Sequence, residues 1–209
     1  MRVVLIDSGV NASHPHVREL GEVHTPFAVD AEGVLVMDEE QRDTLGHGTA
    51  AAAAILDIAP GTELHSIQVF RDHPVCPFEV VVEALERALD LEPELINLSL
   101  GTTRQEWRGE LEAPLSRARS AGVTIISPAA HGGLPSLPGS LPGVTGVLMD
   151  AGLDRDAPEL RPSGSTELWY ASPHPRDLPN LPRTANLAGV SMAAANLTGF
   201  LASRTTARV

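Results

Sequence analysis

The chain contains no lysine; all fifteen of its basic residues are arginine. Set against 27 Asp and Glu they leave a formal net charge of −12. A phosphate backbone is held by a basic surface, so this balance argues against a nucleic-acid partner and tolerates a neutral or basic peptide. The arginine bias itself fits a GC-rich coding sequence better than guanidinium chemistry at fifteen separate places. Cysteine is almost as scarce. Cys76 stands alone, so no intrachain disulfide forms and nothing calls for an oxidising compartment. In "HPVCPF" it has no histidine and oxyanion setting of its own, and it reads as a structural or incidental loop residue. Long apolar runs are missing too. No stretch approaches the roughly 20 residues that span a bilayer, and "VVLID" is too short for a signal peptide and has no cleavage site behind it. The chain is therefore expected to be cytoplasmic, with no membrane partner.

What is present is ordinary for a globular protein. At 209 residues, 43 % hydrophobic and 20 % charged, the chain suits one domain with a substantial core. Short apolar runs at 3–6, 63–70, 94–100, 122–127 and 144–149 alternate with helical periodicity at 48–58, 78–90 and 105–121, and a further helix opens near Ser191. That alternation predicts an α/β fold: a doubly wound, mostly parallel sheet with helices on both faces. Residues 132–186 are rich in Pro, Gly and Ser, and are expected to be long surface loops around one or two strands. No repeat and no linker divides the chain, which reads as a single domain over 1–209.

In such sheets function collects at the carboxyl edge, where strands end and helices begin. Asp7 ends the first strand in "VVLIDSGV", His47 opens the helix of "DTLGHGTAAAAAILDIAP", and Ser191 opens the last helix in "LAGVSMAAANLTG". Taken singly, these read as a strand-ending turn, a helix-start residue and an N-cap. Taken together they are the three side chains of a serine hydrolase. The hydroxyl is a weak nucleophile at neutral pH, an imidazole removes its proton, and a carboxylate fixes the tautomer and stabilises the imidazolium. The order Asp, His, Ser along the chain is informative, because unrelated hydrolase folds order the same residues differently.

At these three places the sequence resembles the subtilisin-like serine proteases. "VVLIDSGVNASHPHV" is similar to the family's Asp segment, "DTLGHGTAAAAA" to its His segment and "GVSMAAANLTG" to its Ser segment. Between them, "LDIAPGTELHSIQVF" resembles the Ala-Pro strand, "LINLSLGT" the substrate-flanking strand, and "GVTIISPAAHGG" the segment carrying the oxyanion asparagine. The resemblance implies a subtilisin-like fold with Asp7, His47 and Ser191 as a catalytic triad. It also implies that Ser99, Leu100, Gly101 and Thr102 flank a bound peptide, with Thr103 and Arg104 as further lining residues.

Departures from the family pattern shape the expectation. His131 stands where the oxyanion asparagine belongs, either as a donor through a ring N–H or as a residue of a shifted loop. The segment before "IAPGTEL" is too short for the family's calcium loop, and His14 and His16, which could hold a metal weakly, read as scattered surface histidines. No metal and no cofactor are therefore expected, and a chelator should leave the melting temperature unchanged. Ala195 replaces a proline, and the sequence stops at Val209 soon after the Ser191 helix. On this reading the domain is truncated there. "MAAANLTGFLA" is then expected either to have an uncovered apolar side, fit for a second copy or a partner protein, or to be covered by the loops at 132–186. Two functions follow. One is a serine endopeptidase of narrow specificity that processes a peptide or precursor, as the lack of an obvious inhibitory pro-segment suggests. The other is a silent subtilase fold that binds a peptide or partner.

Overall fold

The computed structural model describes residues 1–38, 42–164 and 166–206. Strand β1 (Arg2–Asp7) is followed by a one-turn helix α1 (Pro15–Arg18) and an antiparallel pair, β2 (Val23–Val29) and β3 (Leu35–Met37). Then come α2 (His47–Ile58), β4 (Glu63–Gln68), α3 (Phe78–Asp90), β5 (Leu95–Leu98), α4 (Glu112–Ala121) and β6 (Thr124–Pro128). A small ribbon of β7 (Ala130–His131) and β8 (Leu134–Pro135) precedes β9 (Thr145–Met149), β10 (Glu159–Ser163), β11 (Thr166–Ala171) and α5 (Val190–Thr206). Nine of the strands form one sheet in the order β10-β11-β9-β6-β5-β1-β4-β2-β3. Neighbours run parallel except at the two edges, where β10 and β3 pair antiparallel. Because β1 has β4 on one side and β5 on the other, the connections leave in opposite directions and a crevice opens at its carboxyl end.

The strand alternation fills two cores. Val3 and Leu5 of β1 pack with α2 and α5, while Val4 and Ile6 pack with α3 and α4, all four fully buried. On the first face Ala51–Ala54 of α2 and Ala193–Ala195 of α5 are fully buried, and the two helices lie directly on each other. Side chains this small let helix backbones approach closely: a Cβ added at Gly199 would sit 3.0 Å from the Ile55 carbonyl oxygen. On the second face α3 buries Val80, Val81, Ala84, Leu85, Ala88 and Leu89, the spacing of one helical stripe.

The predicted helix at 105–121 is two elements. Residues Gln105–Leu111 form a 3-10 turn and α4 begins at Glu112. Pro114 has no N–H to offer residue 110 and its ring would clash with that carbonyl, so one continuous α-helix cannot form. The segment 132–186 is less exposed than expected. Ser136, Leu137 and Leu141 are buried, because this stretch folds over the end of β5 and Thr102 and Leu137 pair as an antiparallel bridge. The first outer strands, β2 and β3, escape a periodicity reading because Pro26 interrupts β2. Its register with β4 shifts between His24 and Phe27, where a residue without an N–H leaves a gap in the ladder. Met192, Ala193–Ala195, Leu197 and Ala202 are all essentially buried, and Trp169 of β11 packs edge-on against Phe200 at 5.9 Å between centroids. The cover comes mainly from α2 and from β5, β6, β9 and β11, of which only β9 and β11 lie within 132–186, so the expected uncovered apolar side is not seen among the described residues. No helix among the described residues is long and apolar enough to cross a membrane.

Candidate active site

Asp7, His47 and Ser191 come from three distant stretches of sequence and meet at the crevice beside β1. Asp7 is the last residue of β1 and is fully buried. His47 Nδ1 lies 2.7 Å from Asp7 Oδ1 and 3.0 Å from Oδ2, and His47 Nε2 lies 2.8 Å from Ser191 Oγ. The carboxylate also accepts the Ser8 N–H at 2.6 Å. With Nδ1 donating to Asp7, Nε2 is the free acceptor that faces the serine. Burial alone would lower the pKa of His47. The Asp7 charge, the hydrogen bond to Asp7 and the charge of Asp43 together outweigh it, and the imidazole holds its proton above the usual 6.5.

Local sequence sets this placement. The first turn of α2 is capped from outside itself: Ser8 Oγ accepts the Gly48 N–H at 2.9 Å, and Asp43 Oδ2 accepts the Thr49 N–H at 2.8 Å. Asp43 also takes the Ser8 and Thr49 hydroxyls at 2.8 and 2.6 Å and the Gly46 N–H at 2.8 Å. One carboxylate thus binds the end of β1, the loop and the helix into a single unit around His47. Gly46 turns the chain into the helix at φ 72°, a left-handed conformation costly for other residues. Gly48 answers a different need. A Cβ there would lie 2.0 Å from the Gly9 carbonyl oxygen, so only glycine lets the helix start this close to the sheet.

Ser191 is the second residue of α5. Its N–H has no acceptor among the described residues, as first-turn amides commonly lack one, and is available to a ligand. A buried polar chain ties this helix to β5. Thr198 Oγ1 donates to Asn97 Oδ1 at 2.8 Å, Asn97 Nδ2 donates to Ser99 Oγ at 2.6 Å, and Ser99 Oγ donates to the Ser191 carbonyl at 3.3 Å.

His47, Ser191, Ser99, Leu100, Gly101 and His131 line one open cleft of about 910 Å³, whose lining also includes the apolar Leu148, Met149 and Val190. Thr102 lines the adjoining hollow of about 380 Å³, together with Cys76, Phe78 and Trp107. Its main chain is already used: N–H and carbonyl both bond to Leu137, at 3.0 and 2.7 Å. Gly101 lines both hollows. His131 lies in β7 on the cleft, exposed, and its ring has no hydrogen-bond partner among the described residues. Burial pushes the Cys76 thiol up to about 11, which keeps it protonated and poorly nucleophilic.

The family model described as "Subtilase family" matches residues 1–145 of the chain. The chain belongs to the subtilase family. The matched part includes Asp7, His47, Ser99–Thr102 and His131, and Ser191 lies beyond it. This subtilase is 27 % identical to a thermostable alkaline protease of Halalkalibacterium halodurans over 96 % of its own length and 55 % of the relative's. It is 26 % identical to subtilisin of Bacillus pumilus over 64 % of its length and 48 % of the relative's. The chain thus spans about half the length of these curated relatives. Among solved structures it is similar in fold to a cold-adapted subtilisin-like serine proteinase (TM-score 0.72, 17 % identity, 99 % of this chain and 76 % of that one). The prenylagaramide maturation protease PagA is similar as well (TM-score 0.71, 20 % identity, 100 % and 76 %).

Asp43, Ser8, Asn97 and Thr198 were not legible as site residues. Asp43 lies four positions before His47 in a stretch that reads as turn and cap residues, and nothing in the sequence says that both its oxygens serve the helix. The apolar lining formed by Leu148, Met149 and Val190 comes from the end of one strand, β9, and the start of a helix, α5, far apart in sequence, and no spacing signals it.

Proposed function

We propose that this subtilase is a serine endopeptidase that cleaves a peptide or precursor protein, with Ser191 as nucleophile, His47 as base then acid, and Asp7 as the group that orients His47. The observation that carries the reading is the continuous hydrogen-bonded run from Asp7 through both nitrogens of His47 to Ser191 Oγ. Ser191 Oγ attacks the scissile carbonyl carbon and its proton passes to His47 Nε2. The tetrahedral intermediate collapses as that proton moves to the departing amine nitrogen and the C–N bond breaks. Water then repeats the sequence on the acyl-enzyme. The Ser191 N–H supports the oxyanion from one side, and His131 supplies the second donor from the facing ribbon. A substrate lies extended along Ser99–Gly101, with an apolar side chain against Leu148, Met149 and Val190. We assign it a narrow, processing role in the cytoplasm; two solved neighbours are named as a maturation protease and a lanthipeptide protease, so the fold hosts such work elsewhere.

Labelling with a serine-directed fluorophosphonate tests this without knowledge of the substrate. Wild type should label and Ser191→Ala should not. Label retained in Ser191→Ala would place the nucleophile elsewhere, and an unreactive wild type would favour a peptide-binding module instead. The oxyanion role has its own expected outcome. Loss of a donor at this place in subtilisin, a member of the same family, costs about a hundred- to a thousand-fold. His131→Ala should lose on the order of a hundred-fold in turnover, while His131→Asn should keep or raise it, because an amide donates at every pH. Equal turnover in wild type and His131→Ala would reduce His131 to a loop residue.

A further inference from the structure

At the amino end of the sheet, three side chains that the catalytic reading does not use converge on one face. β2 and β4 run parallel with His24 opposite His65. Register partners on parallel strands share a face, and Glu63, two residues before His65, shares it as well. The two imidazole rings stack with centroids 4.7 Å apart and planes 26° apart. His65 Nε2 lies 2.9 Å from Glu63 Oε1. One ligand atom from each of the three side chains lies within 4.8 Å of the other two.

Two imidazole nitrogens and a carboxylate oxygen form a donor set suited to zinc, with a fourth position left for water. We propose that His24, Glu63 and His65 bind a divalent transition metal of the zinc class, at a site separate from the catalytic cleft. Arg2 and Asp7 are opposite ends of β1, and Arg2 pairs with Glu63 in register, so about 17 Å of strand separates this cluster from the triad. Arg2 serves as the supporting partner. Its Nη1 is anchored on the Leu91 carbonyl at 2.6 Å and its Nε donates to Glu63 Oε1 at 2.9 Å, which orients the carboxylate. The ion ties β2 to β4 just before the register shift at Pro26, where the ladder itself is irregular.

The sequence hides this cluster, because residue 24 is far from 63 and 65 and no ligand spacing appears. His14 and His16 are the pair the sequence brings together, but His16 is buried rather than at the surface, and the structure makes the pair a poor cation site. His14 Nδ1 accepts the His16 N–H at 3.2 Å, and the Arg176 guanidinium stands 3.2 Å from His16 Nδ1.

The test is a calorimetric titration of Zn²⁺ into the tag-free, EDTA-treated full chain, with melting curves in Zn²⁺ and in EDTA. One ion should bind per chain and raise the melting temperature, and EDTA should reverse the rise, the opposite of the unchanged melting temperature that the sequence alone leads one to expect. His24→Gln and His65→Gln should each weaken binding by at least the roughly 10–100-fold that loss of a merely supporting partner costs. His24 is exposed, so its variant should fold even if the double variant does not. Absence of a saturable site in wild type would overturn the proposal. So would undiminished binding in His24→Gln and in His65→Gln, which would move the ion to other histidines such as His47 or His131.

Discussion

Replacing Ser191 or His47 by alanine should each abolish nearly all turnover, and the double variant should be no worse than either single one. On the proposed mechanism Ser191, His47 and Asp7 act as a unit: without the imidazole the hydroxyl keeps its proton, and without the hydroxyl the imidazole has nothing to activate. In subtilisin, which belongs to the family of this chain, such a knockout costs about 10⁶-fold in turnover. A comparable loss is expected here because His47 Nε2 is already 2.8 Å from Ser191 Oγ. Losses that multiply in the double variant would show that the two side chains act independently and would sink the triad assignment. The wild-type pH profile adds a second check. The base must be neutral, and Asp7 and Asp43 hold the His47 proton on above pH 6.5. The acid limb of kcat/KM should therefore lie above 6.5, with activity rising as His47 loses its proton. A limb well below 6.5 would mean that the titrating base is another group.

Gly48→Ala should be among the most damaging single methyl additions in the molecule, and the one that strikes nearest His47. The new Cβ would stand 2.0 Å from the Gly9 carbonyl oxygen and 3.3 Å from Asp7 Cβ, and backbone cannot swing aside as a side chain can. Overpacking usually costs about 1–3 kcal/mol, and a clash with main chain belongs at the upper end, about 3 kcal/mol. Relief comes only by moving α2 away from β1, which draws His47 off Asp7. Activity should therefore fall along with the urea midpoint. Gly46→Ala provides the contrast, since nothing lies within 4 Å of a Cβ there and only the positive φ opposes it, at about 1 kcal/mol. Equal effects of the two variants would mean that the tight approach at Gly48 is not what holds the helix in place.

The strands and helices around the triad were legible because their signals are local. The buried runs of β1, β4 and β5 read as apolar stretches, and the stripe of α3 repeats at helical spacing. Asp7, His47 and Ser191 were legible for a further reason: each marks a strand end or helix start with a turn residue beside it. The remainder depends on contacts made across the fold. Pro26 concealed β2, Pro114 split a helix that periodicity joins, and Leu137 claimed the backbone of Thr102 from 35 positions away. Asn97, Thr198 and Asp43 gain their roles only once β5, α5 and the loop before α2 lie side by side. The proposed metal ligands are an extreme case, since strand register alone brings His24 to His65.

His47 and Ser191 sit at the starts of α2 and α5, which pack together through small residues, Ala51–Ala54 and Ala193–Ala195 having no exposed area. The spacing between the reacting atoms is therefore set by two hard rails touching along several turns, and the rails have no slack to absorb an added methylene. A wedge placed deep between them, at Ala53 or Ala194, works on the far arm of a lever whose near arm is the hydrogen bond between imidazole and hydroxyl. The alignment of His47 with Ser191 is thus exposed to changes in residues that never reach the cleft.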